Sequence, residues 1–221
     1  MSYSVTNFSE LESFPVGKQG LIWHPIRSRL GIRPFGMNSY TSAEVGGEVV
    51  EDHSEETYGH EEVYIVVSGH ATFTLDGEEV DAPEGTIVHL PDPSVRRSAV
   101  AVEPETRVLA VGGKPGEAYL PSAWELFFRA SSLPPDEALR LIEESEGEGY
   151  NMADAAGYQY NLACYRALAG KPEEAVEAFR QAHELDPERV SGYAADDRDL
   201  DSIRDEISAI TGQAESAGTS A

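Results

Sequence analysis

The chain has 221 residues, 40% hydrophobic and 25% charged, enough for one large domain or two modest ones of ordinary globular composition. Its 40 acidic residues against 16 Lys and Arg give a net charge of −24. Such a surface repels phosphate backbones and anionic lipid, so neither a nucleic-acid nor a membrane partner is expected. No run approaches the ~20 apolar residues of a membrane helix, and Met1 to Gly20 lacks the apolar core of a secretory leader. A single cysteine, Cys164, excludes an internal disulfide and suits a reducing, cytoplasmic location.

Residues 1–20 are polar, with Phe8, Leu11 and Phe14 as scattered anchors, and read as an N-terminal arm or short edge element. Leu21-Ile22-Trp23-His24-Pro25 reads as a short strand ended by proline. Residues 33–43, with Phe35, Met37 and Tyr40, read as another, and Gly46-Gly47 marks a turn or bulge. Glu48 to His53 begins a strand that breaks down over Ser54 to Gly59. His60 to Gly77 then holds two runs rich in Val, Ile, Tyr and Thr, joined by Ser68-Gly69-His70 and closed by Asp76-Gly77. That is the pattern of two adjacent strands with tight connections. Glu62, Tyr64 and Val66 share one parity and so one face. Glu79–Pro83, Thr86–Leu90, Arg96–Val102 and Thr106–Gly112 complete the set. Short strands punctuated by Gly, Pro and Asp mean a sandwich or barrel rather than βαβ units.

Glu62, six residues and Gly69 resemble the second half of the first cupin motif, whose glutamate points into a small β-barrel. Gly85-Thr86-Ile87-Val88-His89-Leu90-Pro91-Asp92-Pro93-Ser94-Val95-Arg96 resembles the second motif. The resemblance implies that residues 21–115 form a cupin jelly-roll β-barrel. It also implies pairing through the sheets, hence a homodimer. Metal-binding cupins place two histidines one residue apart, then the glutamate, then a third histidine in the second motif, donors that suit divalent Fe, Mn, Ni or Zn. By spacing, the glutamate falls on Glu62, the histidine pair on Glu56 and Tyr58 or on Glu55 and Thr57, and the third histidine on Arg96. None is histidine.

Two arrangements remain open. Gly47, five residues and His53 match the start of the first motif, and a longer loop then makes His53, His60 and Glu62 the candidate metal ligands. Alternatively Arg96 replaces the metal, its guanidinium neutralising a buried Glu62 carboxylate. Glu62, Tyr64, Arg96 and His60 then line a site for a small polar or anionic molecule, with no cofactor. The second arrangement is favoured, as a non-enzymatic small-molecule-binding or sensing barrel. The alternative is a metal-dependent oxygenase or isomerase. His89 reads as a wall histidine and Cys164 as packing.

After Gly112-Gly113-Lys114-Pro115-Gly116, strand-like alternation gives way to helical spacing, so residues 116–210 read as a helical segment and the class as mainly β with α. Ser122 and Glu125 form a capping box before one helix, and Pro134-Pro135-Asp136-Glu137 opens a second that runs to about Glu146. Residues 156–189 resemble a tetratricopeptide repeat: Leu162 and Ala163, a turn at Gly170, Ala175, Phe179 and Ala182 at helical spacing, and Pro187 as the stop. Gln159 and Arg166 depart from its pattern. Leu200 to Ile207 supplies an amphipathic cap, and residues 211–221, rich in Gly, Ser and Ala, read as a disordered tail. The segment is expected to cover barrel surface or support a dimer. A third reading makes it a scaffold for a protein partner.

Overall fold

The structure, a computed structural model, describes residues 3–16, 20–145 and 149–212. It therefore leaves Glu146, two short pieces of the expected arm and most of the expected tail outside the described residues. The chain divides into two compact units between Pro121 and Ser122, later than the change of sequence texture near residue 115.

In the first unit, Asn7 caps a short 3-10 turn, Phe8–Glu10, and β1 (Phe14–Val16) pairs with β2 (Leu21–His24). A five-residue helix that the sequence does not announce, α1 (Ile26–Leu30), follows Pro25. Eight strands then build the body: β3 (Gly36–Ser42), β4 (Glu48–His53), β5 (Glu61–Ser68), β6 (His70–Leu75), β7 (Glu78–Pro83), β8 (Ile87–Leu90), β9 (Arg97–Ala101) and β10 (Thr106–Gly113). One sheet runs β1-β2-β3-β10-β5-β8 and the other β4-β9-β6-β7, with every pairing antiparallel. The interleaving of β3-β10-β5-β8 with β4-β9-β6-β7 is that of a double-sheet jelly roll, the architecture the cupin resemblance implies. Strand alternation sends Tyr64, Val66, Phe73, Leu90, Ala99, Ala101, Val108 and Ala110 into one core.

The second unit is helical. α2 (Trp124–Ala130) starts with Ala123 at its N-cap and no side-chain cap bond, rather than on Ser122, and α3 (Pro135–Glu144) follows. α4 (Ala155–Leu168) and α5 (Pro172–Leu185) form a hairpin turned at Gly170, which has φ +73°. Pro187 does more than stop α5. It occupies the first turn of α6 (Pro187–Ala194), whose N-cap Asp186 accepts from the Arg189 amide. A 3-10 turn, Arg198–Ile203, leads into α7 (Arg204–Thr211). Leu162, Ala163, Ala175, Phe179, Ala182, Leu200, Ile203 and Ile207 share a single core. No helix among the described residues is long and apolar enough to cross a membrane.

The two runs joined at Gly69 do not pair with each other. β5 pairs with β10 and β8, and β6 with β7 and β9, so Gly69 is the corner at which the chain leaves one sheet for the other. Its φ of +76° lies in the left-handed region, and a Cβ there would stand 2.8 Å from Thr106 Cα. Thr106 Oγ1 in turn accepts from the His70 amide at 3.1 Å and donates to the Glu103 carbonyl at 2.7 Å. Gly69→Ala therefore combines backbone strain with a clash against backbone, and should cost about 2–4 kcal/mol of stability. A denaturant titration of the full chain checks it.

Candidate functional site

Where β4 ends and β5 and β9 begin, both sheets turn polar groups toward the same interior space. β5 alternation carries Glu62 and Tyr64 inward, and the phenol donates to Glu62 Oε2 at 2.5 Å. From the other sheet come His53, the last residue of β4, and Arg97, the first of β9, which face each other in the ladder. His53 Nε2 lies 4.0 Å and Arg97 Nε 3.8 Å from Glu62 Oε2. The sheet leaves room for Glu62 because its partner on β10 is Gly112: a Cβ there would meet Glu62 Cγ at 2.9 Å.

Glu55 joins this group from the turn after β4. Its amide donates to the Pro93 carbonyl, and its own carbonyl accepts from Tyr58 and Gly59, so the turn is fastened at both ends. Glu55 Oε1 is 3.6 Å from His53 Nε2. Oε2 is buried and has no aligned hydrogen bond, although His60 Nδ1 stands 2.9 Å away. His60 is buried between the rings of Tyr58 and Tyr119, at centroid distances of 5.6 and 5.7 Å.

His53 Nδ1 lies 2.7 Å from the Glu51 carbonyl. A carbonyl can only accept, so in the neutral ring Nδ1 carries the proton and the Nε2 lone pair is left facing the same space as the two carboxylates, an all-acceptor arrangement. One ligand atom each from His53, Glu55 and Glu62 lies within 4.8 Å of the others, the group among the described residues that could hold a metal ion. An imidazole nitrogen and two carboxylate oxygens are donors for Mn, Fe(II) or Zn. The outward-tied imidazole is the second-layer hydrogen bond that metal-ligating histidines commonly make. Residues and donor set therefore fit a divalent cation, with Arg97 as the one opposing charge.

Two sequence expectations change here. His60 is not among the three: it contacts Glu55 and stands behind it. The third member of the group is Glu55, two residues after His53. Arg96 is not the internal counter-charge. Its side chain is 65% exposed and pairs with Asp52 at 2.8 Å, while the neighbouring Arg97 is fully buried beside Glu62. The reason is register. Arg97 pairs with inward His53 and shares parity with buried Ala99 and Ala101, so Arg96 and Asp52 both face out.

The electrostatics follow from burial. Loss of water pushes the Glu62 carboxyl up, and the nearby Glu55 charge adds to this. Tyr64, His53 and Arg97 pull the other way without cancelling it. The Tyr64 phenol is pushed well up, first by burial and then by Glu62, so it stays a donor.

No protein-family model and no curated protein matches this sequence. Among solved structures the chain is similar to a sugar phosphate isomerase of the cupin superfamily from Silicibacter pomeroyi, at 17% identity and a TM-score of 0.43, over 50% of this chain and 76% of that one. It is similar to KdgF from a Halomonas species at 20% identity and a TM-score of 0.41, over 49% of this chain and 93% of that one. It is also similar to a predicted oxalate decarboxylase from Thermotoga maritima, at 17% identity and a TM-score of 0.43, over 50% of this chain and 99% of that one.

Two variants test this geometry. Gly112→Ala should displace Glu62 and cost about 1–3 kcal/mol in thermal or denaturant unfolding. Glu62→Gln tests the buried charge by its pH dependence. A carboxyl whose folded pKa is raised stabilises the fold below its unfolded pKa, and that contribution is lost as pH rises through the folded value. In protein stripped of divalent cations, Glu62→Gln should therefore be more stable than wild type at neutral pH, with the gap closing on acidification. A gap that does not depend on pH would contradict a strained Glu62 charge.

Proposed function

We propose that the jelly-roll unit holds one divalent cation through His53 Nε2 and a carboxylate oxygen each of Glu55 and Glu62, and presents it to a small polar molecule entering between the sheets. The observation that carries this reading is the clustering of those three ligand atoms within 4.8 Å, with the His53 imidazole already tied to the Glu51 carbonyl. Charge supports it as well. Two carboxylates face a single guanidinium, and leaving one of them buried and unmatched is costly. When bound, the cation supplies an electrophilic centre that coordinates and polarises an oxygen ligand.

The chain's own residues do the positioning. Tyr64 holds one Glu62 oxygen, His60 stands against the far oxygen of Glu55, and the Pro93 carbonyl ties Glu55 and Arg97 to one loop, at 2.9 Å to the Glu55 amide and 3.5 Å to Arg97 Nη1. A cation-free binding barrel, with Arg97 alone as counter-charge, is the second reading, favoured by the same 3.8 Å approach of Arg97 to Glu62. For the second unit, we read the α4–α5 hairpin as a single tetratricopeptide-like unit with a structural task. Its Leu162, Ala163, Ala175, Phe179 and Ala182 are buried in that unit's own core.

Elemental analysis of tag-free protein after dialysis separates the two readings for the barrel. The cation reading expects close to one equivalent of Mn, Fe, Ni or Zn, reduced at least about tenfold in affinity by His53→Ala or Glu55→Gln. His60→Ala should weaken binding less, because it removes a positioning contact and no ligand. Metal-free folded protein that takes up no added Mn or Zn would leave the cation-free barrel as the answer.

A further inference from the structure

Arg97 is an unusual neighbour for a cation site. It is fully buried, and neither Nε nor Nη2 makes a hydrogen bond. Its one hydrogen bond among the described residues is a long one, from Nη1 to the Pro93 carbonyl at 3.5 Å. A guanidinium stays charged even when buried, so its field acts on whatever occupies the space between the sheets. With both histidines counted neutral, Glu55 and Glu62 bring two negative charges, Arg97 one positive and a divalent cation two positive. The loaded site carries a net +1.

We propose, resting on the cation site described above, that Arg97 makes the loaded barrel selective for a monoanionic ligand, such as a small carboxylate, bound to the cation as its charge-completing partner. An unmatched positive charge in a partly buried site is costly, and a monoanion removes it without any ligand having to touch Arg97 itself. The side chains of His53 and Glu62 are 33% and 13% exposed, while Arg97 is fully buried, so a ligand reaching the first two need not reach the third. Two consequences of opposite sign follow. Arg97 weakens the bare cation by repulsion and strengthens the anion by attraction, and the two ligands must help each other equally.

The test is calorimetric titration of the full chain with Mn2+, in the presence and absence of formate, with formamide as the neutral probe of the same shape. In wild type, formate should raise Mn2+ affinity severalfold and bind only when Mn2+ is present, while formamide does neither. Arg97→Gln should tighten Mn2+ by at least about tenfold and abolish the formate effect, and Arg97→Lys, which keeps the charge, should retain both wild-type behaviours. A purely structural arginine would lose Mn2+ and formate together on Arg97→Gln, and that result overturns the proposal. If Arg97→Gln does not fold, the wild-type comparison decides alone: Mn2+ binding indifferent to formate, or equally sensitive to formamide, sinks it. Failure of wild type to bind Mn2+ at all refutes the cation site itself, and is distinguished from failure of this inference by the Mn2+ titration without formate.

Discussion

A carboxylate shared between two sheets sets the terms for the first unit. Glu62 leaves water on the inner face of β5, and taking an ionised group out of water costs several kcal/mol unless charge and hydrogen bonds meet it. Tyr64 meets it from the same strand, and His53 and Arg97 meet it from the opposite sheet. Those demands reach into the backbone. β10 must carry a residue without a side chain opposite Glu62, and the Pro93 carbonyl must hold both the Glu55 turn and the Arg97 side chain. The polar end of the barrel is thus braced by the same contacts that would hold a ligand.

The acidic excess of the chain is a separate matter from this site. Most of it is solvated, and the exposed pairs Arg96–Asp52, His89–Glu61 and His70–Asp81 are of the kind that contribute little to stability. Glu55, Glu62 and Arg97 differ because they are buried, where the same charges act at low dielectric and each lost partner is felt. The second unit meets its burial requirement by packing instead. Alanines at the α4–α5 seam let the helices approach closely around Phe179, and polar ties such as Tyr160 to Asp197 at 2.7 Å and Arg189 to Asp154 at 2.6 Å fasten the edges.

Much of the jelly roll is readable from residues alone. Period-two alternation marks the inward face of β5, Asp76-Gly77 marks the β6–β7 hairpin with both residues at positive φ, and the change from alternation to helical spacing separates barrel from helices. These features are local, because a strand's facing and a tight turn's chemistry depend on a few neighbouring residues. The helical hairpin at Gly170 is local in the same way.

Which charged side chains meet inside the barrel is not local. Counting along the second motif leads to Arg96, yet the β4–β9 register turns Arg97 inward opposite His53, and a one-residue shift reverses the face of every side chain. The Ser68-Gly69-His70 link looks like a hairpin because nothing in its residues distinguishes pairing strands from a corner between sheets. Spacing brings Glu55 forward only as a place where a histidine is missing, and it is the anchoring of its turn to Pro93 that buries its carboxylate beside His53. Alternation and turn chemistry are encoded within a few residues, so they can be read along the chain. Register and sheet-to-sheet contact join residues far apart in sequence, so they exist only once the two sheets have closed on each other.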